Sequence, residues 1–184
     1  MSFIGCLLRP IINLTKIQTN TLEIGGNHDL GKLKRQLVQT DLMAENEQEI
    51  FEQLGGVLVS EGCCKESYVS ALSEREKVYP TGILAGDIGV AIPHTDPCYV
   101  ETTGIAIGVL KEPVSFFQMG TNPKENVKVP VKFVMMLAIA GKQHLEVLQR
   151  AILLIQDAEV LKMLVNAGNP EEIIQIIKNK EDSL

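Results

Sequence analysis

The stretch from Val129 to Ala140 limits the fold more than any other part of the chain. It alternates at first (Val129, Val131, Phe133) and then runs continuously apolar from Val134 to Ile139. A strand that is apolar on both sides needs cover on both faces, so it belongs in the middle of a sheet with helices against it. The next segments supply helices. Gly141 opens one whose apolar stripe is Leu145, Leu148, Ile152 and Ile155. Asp157 can cap the next, with Val160, Leu161, Leu164 and Val165 packing. Asn169 as N-cap and Pro170 at the first helical position start the last, Pro170 to about Lys178.

The preceding half mixes both element types. Gln36 to Leu42 reads as a short strand. Asn46 then looks like an N-cap, with Glu49 three residues on in a capping-box arrangement. Ile50, Phe51, Leu54, Val57 and Leu58 come next at helical spacing, and Gly62 ends that helix. Lys65 to Lys77 forms a second helix with Tyr68, Ala71 and Leu72 as its stripe; Glu74 and Glu76 are expected to point elsewhere. Tyr79-Pro80-Thr81-Gly82 is a turn, and Ile83 to Gly86 leads out of it. Val90 to Ile92, Gly104 to Leu110 and Pro113 to Phe117 read as extended pieces, and Gly120 to Val127 as loop. Strands and helices interleaved in this way specify an α/β sandwich.

Composition bounds the function. A chain of 184 residues with 45% hydrophobic and 22% charged residues suits one globular domain. A net charge of -6 and a pI near 5.1 argue against nucleic acid, which needs a concentrated positive surface. The four cysteines (Cys6, Cys63, Cys64, Cys98) have no CxxC spacing, so neither a zinc ribbon nor a disulfide framework is indicated, and a reducing cytoplasm is the expected home. Met1 to Leu14 is apolar but interrupted by Arg9 and Pro10, too short to span a bilayer and without the layout of a secretory signal. Residues 1–34, which carry His28 and the Gly25-Gly26-Asn27 breaker, are expected to form an extension outside a domain of residues 35–180, with 181–184 as a tail.

Three residues are candidates for chemistry. In Gly89-Val90-Ala91-Ile92-Pro93-His94-Thr95 an apolar strand runs into a proline, which donates no ladder hydrogen bond, and then into a histidine. His94 should project from the strand end toward solvent. It is either a nucleophile on a stiff stalk or a loop histidine without a task. Arg75 lies seven, four and three residues after Tyr68, Ala71 and Leu72, on the inward side of its helix. It either snorkels and serves its own helix end or holds its planar fork toward an anion. His144 falls in the first turn of its helix, where free N–H groups and the dipole favour an anion; alone, it could equally be surface decoration. The chain has no P-loop, no glycine-rich dinucleotide turn, no HExxH and no GxSxG elbow, which argues against an ATP-using kinase. His94 with Cys98 as metal ligands lacks a further Cys/His pair to complete a set.

The motifs together resemble a known family. Ile88-Gly89-Val90-Ala91-Ile92-Pro93-His94-Thr95 is similar to the active-site segment of the enzyme IIA component of the bacterial phosphoenolpyruvate-dependent sugar phosphotransferase system, of the fructose–mannitol–galactitol type. Ser73-Glu74-Arg75-Glu76-Lys77 with Tyr79-Pro80-Thr81-Gly82 matches the helix end and turn ahead of it. Gln143-His144-Leu145-Glu146-Val147-Leu148 matches the helix carrying the family's second histidine. The likeness spans roughly residues 36 to 178. Tyr79 to Ile83 and Phe117-Gln118-Met119-Gly120 look most like the galactitol branch.

This resemblance implies a single mixed β-sheet sandwiched by helices and the activity of a phosphocarrier. His94 would be the phosphoacceptor, a tele-phosphohistidine. The donor would be the small histidine-containing phosphocarrier protein and the acceptor a cysteine of a IIB component, with a membrane IIC component delivering the sugar. Arg75 and His144 would stabilise the phosphoryl group, and no nucleotide, cofactor or metal is implied. The nucleophile must be neutral, which an unperturbed histidine pKa of about 6.5 allows. A regulatory phosphoacceptor of the same fold, controlling a partner protein by its phosphorylation state, is the alternative.

Overall fold

The computed structural model describes residues 33–141 and 144–183; the side chains of Pro123, His144 and Leu145 are outside that set. One five-stranded sheet organises the chain. Its strands are β1 (Val38–Leu42), β2 (Gly82–Ala85), β3 (Ile88–Ala91), β4 (Gly104–Phe117) and β5 (Lys128–Ala138), in the order β1-β4-β5-β3-β2. β1 runs parallel to β4 and β3 parallel to β5, while β4–β5 and β2–β3 are antiparallel. The sheet is therefore mixed, and β5 sits at its centre.

Both faces are covered, as the apolar run in β5 requires. On one face lie α1 (Glu47–Ile50), a π-helical turn (Phe51–Gly55), α2 (Gly56–Ser60) and α3 (Tyr68–Val78). Ile50, Phe51, Leu54, Leu58, Tyr68 and Leu72 from these elements pack against Val131, Val134, Met136 and Ala138 of β5. On the other face α4 (His144–Gln156), α5 (Ala158–Asn166) and α6 (Pro170–Glu181) press Leu148, Ile152, Leu161, Leu164 and Ile173 onto Phe133, Met135 and Leu137. No helix among the described residues is long and apolar enough to cross a membrane.

The strand expected to alternate through Val129, Val131 and Phe133 does not keep one parity. Val131 faces α1–α3 while Phe133 faces α4–α6. The cause is a bulge: Gly89 pairs with Val131 and Val90 with Phe133, so Lys132 is an extra residue opposite β3. Gly104–Leu110 and Pro113–Phe117 join into the single β4, whose register against β5 breaks between Val109 and Val114.

Helix starts behave as their caps dictate. Asn46 accepts from the Glu49 N–H, and Glu49 returns a bond to the Glu45 N–H. Asp157 accepts from the N–H groups of Glu159 and Val160, and Asn169 from that of Glu172. Helix bodies depart from expectation more. The first is interrupted by the π turn, where Gly55 lies against Val69: a Cβ there would sit 2.9 Å from Val69 Cγ2. The second begins at Tyr68, three residues after Lys65, and the last extends to Glu181. At the N-terminal side, Arg35–Leu37 forms a 3-10 turn and the strand starts at Val38. Of residues 1–34, expected as an extension outside the domain, 1–32 lie outside the described residues, while Leu33 packs in the core and Lys34 pairs with Glu61.

The piece expected only to lead out of the turn, Ile83 to Gly86, is largely strand. β2 and β3 form a hairpin pairing Gly82 with Ala91 and Ala85 with Ile88. Gly86 takes φ 61° in the turn between them, a conformation that glycine adopts without strain. Gly89 is required for space instead: a Cβ there would lie 2.0 Å from the Pro130 carbonyl oxygen at the bulge. Gly89→Ala is therefore expected to lower stability by about 2–3 kcal/mol. Gly56→Ala, where a Cβ meets nothing within 4 Å, should raise it by up to about 1 kcal/mol. Urea unfolding of both variants checks the pair.

Candidate functional site

The site lies where β3 and β5, parallel neighbours, reach their carboxyl ends, the edge at which α/β sheets present ligand sites. β3 ends at Ala91, two residues before Pro93, whose missing N–H could not continue the ladder. The chain stays attached to β5 nonetheless. The Leu137 N–H donates to the Pro93 carbonyl at 2.9 Å, and His94 makes an isolated parallel bridge with Leu137. The imidazole is thus carried on backbone that is bonded on both sides of the proline.

The ring itself is held at both nitrogens. Nδ1 lies 2.8 Å from the Ile92 carbonyl oxygen, which can only accept, so Nδ1 carries the proton. Nε2 lies 3.2 Å from Nη2 of Arg75, which can only donate, so Nε2 presents its lone pair. The two contacts select one neutral tautomer and aim its nucleophilic nitrogen at a cation. His94 does not project into solvent as its strand-end position suggested: only 6% of it is exposed.

Arg75 reaches this point from the last turn of α3, whose residues Tyr68 and Leu72 are buried on the same stripe. Of the two readings its spacing allowed, the structure shows the guanidinium turned to His94. The helix-end role is filled by backbone, since the Arg75 carbonyl accepts the Tyr79 N–H at 2.7 Å. The guanidinium carbon lies 5.3 Å from the centre of the Tyr79 ring, a cation–π contact. The Nε of Arg75 is buried with no hydrogen-bond partner among the described residues, an unused donor beside His94.

Sequence reasoning missed Glu76. Expected to point away, it is only 3% exposed. Its Oε1 accepts the Thr81 N–H at 2.7 Å, and both carboxyl oxygens lie within 3.1 Å of the Thr81 hydroxyl. Burial pushes the carboxyl up to about 8, outweighing the hydrogen bonds from Thr81 that pull it down. The signal was present: Glu76 comes four residues after Leu72 and eight after Tyr68, the spacing of one helix face. Thr81, in a segment expected only as a turn, is itself buried at 1% exposure.

Tyr68 anchors the neighbouring strand end, its hydroxyl donating to the Leu137 carbonyl at 3.0 Å. Burial pushes that hydroxyl's pKa well above the usual tyrosine value, so it stays a neutral donor. His144 opens α4, six residues beyond the end of β5, so the topology brings its backbone to the same sheet edge; its side chain lies outside the described residues. Cys98, weighed as a metal partner for His94, is exposed. Among the described residues no group of three His, Cys, Asp or Glu side chains could hold a metal ion.

Comparisons with known proteins agree with this architecture. The chain is 29% identical over 150 residues to the mannitol-specific phosphotransferase enzyme IIA component of Geobacillus stearothermophilus, covering 79% of this chain and 94% of that one. Among solved structures, the IIA subunit in the Escherichia coli complex with phosphorylated mannitol enzyme IIB superposes with a TM-score of 0.67 at 21% identity, covering 80% of this chain and 97% of that one. The nitrogen regulatory protein IIA-Ntr of Neisseria meningitidis superposes with a TM-score of 0.64 at 24% identity, covering 80% and 95%. The family model for the phosphoenolpyruvate-dependent sugar phosphotransferase system, EIIA 2, matches residues 32–180. With that match over most of its length, the chain belongs to the EIIA 2 family, the IIA phosphotransferase components of sugar uptake.

Proposed function

We propose that His94 is the phosphoryl-carrying residue of this IIA component and that the phosphoryl group is borne on Nε2. The observation that carries this reading is the pair of bonds on the imidazole: its proton is committed to the Ile92 carbonyl and its lone pair faces Arg75.

The transfer is a displacement at phosphorus. The Nε2 lone pair forms the new P–N bond as the bond from phosphorus to the donor's histidine breaks, and the donor imidazole leaves with that electron pair. His94 becomes an N-phosphoimidazolium with its proton still on Nδ1. The Ile92 carbonyl, already accepting that proton, offsets the positive charge that develops on the ring. Arg75 must release Nε2 as phosphorus approaches. Its guanidinium then faces the three equatorial oxygens, with the unused Nε donor beside it. The second transfer reverses these steps toward the acceptor.

As donor we propose the histidine-containing phosphocarrier protein, and as acceptor a cysteine of a IIB component acting with a membrane IIC component. The solved IIA–IIB complex, which shares this fold, supports the acceptor. His144 is proposed as a further stabiliser of the phosphoryl group, supported by its place at the start of α4 on the same sheet edge. For the substrate we propose a sugar alcohol, in the galactitol branch, from Tyr79-Pro80-Thr81-Gly82-Ile83 and Phe117-Gln118-Met119-Gly120. Cytoplasmic location follows from this role. The likeness to the nitrogen regulatory protein supports the alternative, a phosphoacceptor that controls a partner.

Incubation with phosphoenolpyruvate, enzyme I and the phosphocarrier should give acid-labile label on the wild-type protein and none on His94→Ala. Label surviving that change would remove the central assignment. Arg75→Ala should keep the fold and slow acceptance by about 10–100-fold in rapid-quench measurement; an unchanged rate would return Arg75 to a structural role. Onward transfer to a IIB cysteine separates transport from regulation, since a purely regulatory protein would hold its label in the presence of IIB.

A further inference from the structure

We propose that Glu76 is a positioning residue for the phosphoryl-accepting histidine: by clamping Thr81 it ties the end of α3, and with it Arg75, to the strand pair that carries His94. This rests on the assignment of His94 as the phosphoacceptor and extends it to a residue that need not touch the phosphoryl group.

The geometry that carries it is a closed ring of hydrogen bonds. Arg75 donates to Nε2 of His94. Nδ1 of His94 donates to the Ile92 carbonyl, and the Ile92 N–H donates back to the Thr81 carbonyl at 3.4 Å. The Thr81 N–H donates to Glu76, which adjoins Arg75 in the chain. Both nitrogens of the imidazole are thereby referred to one two-residue stretch of α3. One route runs directly through Arg75 and the other through Ile92, Thr81 and Glu76. Without the clamp, the helix end carrying the guanidinium and the hairpin carrying the imidazole would be free to shift against each other. Displacements of that kind cost transfer rate steeply.

The carboxyl is otherwise expensive where it sits. Its helix neighbours on that face, Tyr68 and Leu72, are fully buried, and a buried acid is tolerated when its oxygens are bonded. Arg75 and Glu47 are the charged groups whose fields reach it. Burial holds it largely protonated at neutral pH. The charge of Arg75 is then not cancelled by its own neighbour and remains available to an incoming phosphoryl anion. A neutral amide should accordingly replace the acid, since glutamine keeps a carbonyl for the Thr81 N–H and an NH2 for the Thr81 hydroxyl.

The test uses Glu76→Gln, Glu76→Ala, Thr81→Val and Arg75→Ala in the full chain. Two readouts are compared: the Nε2 chemical shift of His94 in the unphosphorylated protein, and single-turnover acceptance from the phosphocarrier. Glu76→Ala should slow acceptance about tenfold and move the Nε2 shift in the direction that Arg75→Ala moves it. Thr81→Val, which loses only the hydroxyl, should do the same by about threefold and serves if Glu76→Ala fails to fold. Glu76→Gln should stay near wild type in both. The proposal is overturned if folded Glu76→Ala or Thr81→Val keeps the wild-type shift and rate while Arg75→Ala changes them, or if Glu76→Gln is as impaired as alanine. The shift needs no donor, so it judges the clamp even should wild-type protein accept no phosphoryl group.

Discussion

The site depends on which nitrogen of His94 holds the proton. A free neutral imidazole exchanges its proton between the two positions, and a nucleophile that is correct only part of the time is a poor relay. Here a carbonyl that can only accept and a guanidinium that can only donate fix the answer. Everything nearby serves that arrangement: Pro93 ends β3 without freeing the chain, Leu137 holds the backbone, and Tyr68 holds Leu137 in turn. The same polarity suits the proposed product. In that proposal a ring that gains positive charge on phosphorylation strengthens the bond from its N–H to the Ile92 carbonyl, while Arg75 meets the incoming anion.

The sheet provides the rigidity this needs. β5 is buried on both faces and bonded to β4 and β3, so the strand against which His94 is registered is held on both sides. The bulge at Lys132 sets the parity of the rest of β5, turning Phe133, Met135 and Leu137 toward α4–α6. Gly89 permits the close passage of β3 over Pro130 that the bulge creates. One backbone constraint therefore links Gly89 to the register of His94 five residues later.

Much of this was legible in the sequence. The double-sided apolar run in β5, the caps at Asn46, Asp157 and Asn169, and the helical stripes specified a covered sheet and most elements. Arg75 and His94 could be singled out as candidates from spacing and from the Pro-His end of a strand. The non-local part escaped. The bulge, the joining of two extended pieces into β4 and the β2–β3 hairpin are set by partners across the sheet, which periodicity within one segment does not contain. Glu76 escaped for another reason: its charge outweighed its position on the Leu72 stripe, and its partner, Thr81, sat in a segment read only as a turn. The contacts of the His94 ring likewise come from partners 2 and 19 residues away, which its place at a strand end does not reveal.

The most direct measurement is the identity of the phosphorylated atom. Nitrogen–phosphorus coupling in the NMR spectrum of the phosphorylated, 15N-labelled protein distinguishes the two ring positions of each histidine. Phosphorus is expected on Nε2 of His94, with the proton retained on Nδ1. Phosphorus on Nδ1 of His94, or on another residue, would contradict the tautomer and the role assigned to this histidine.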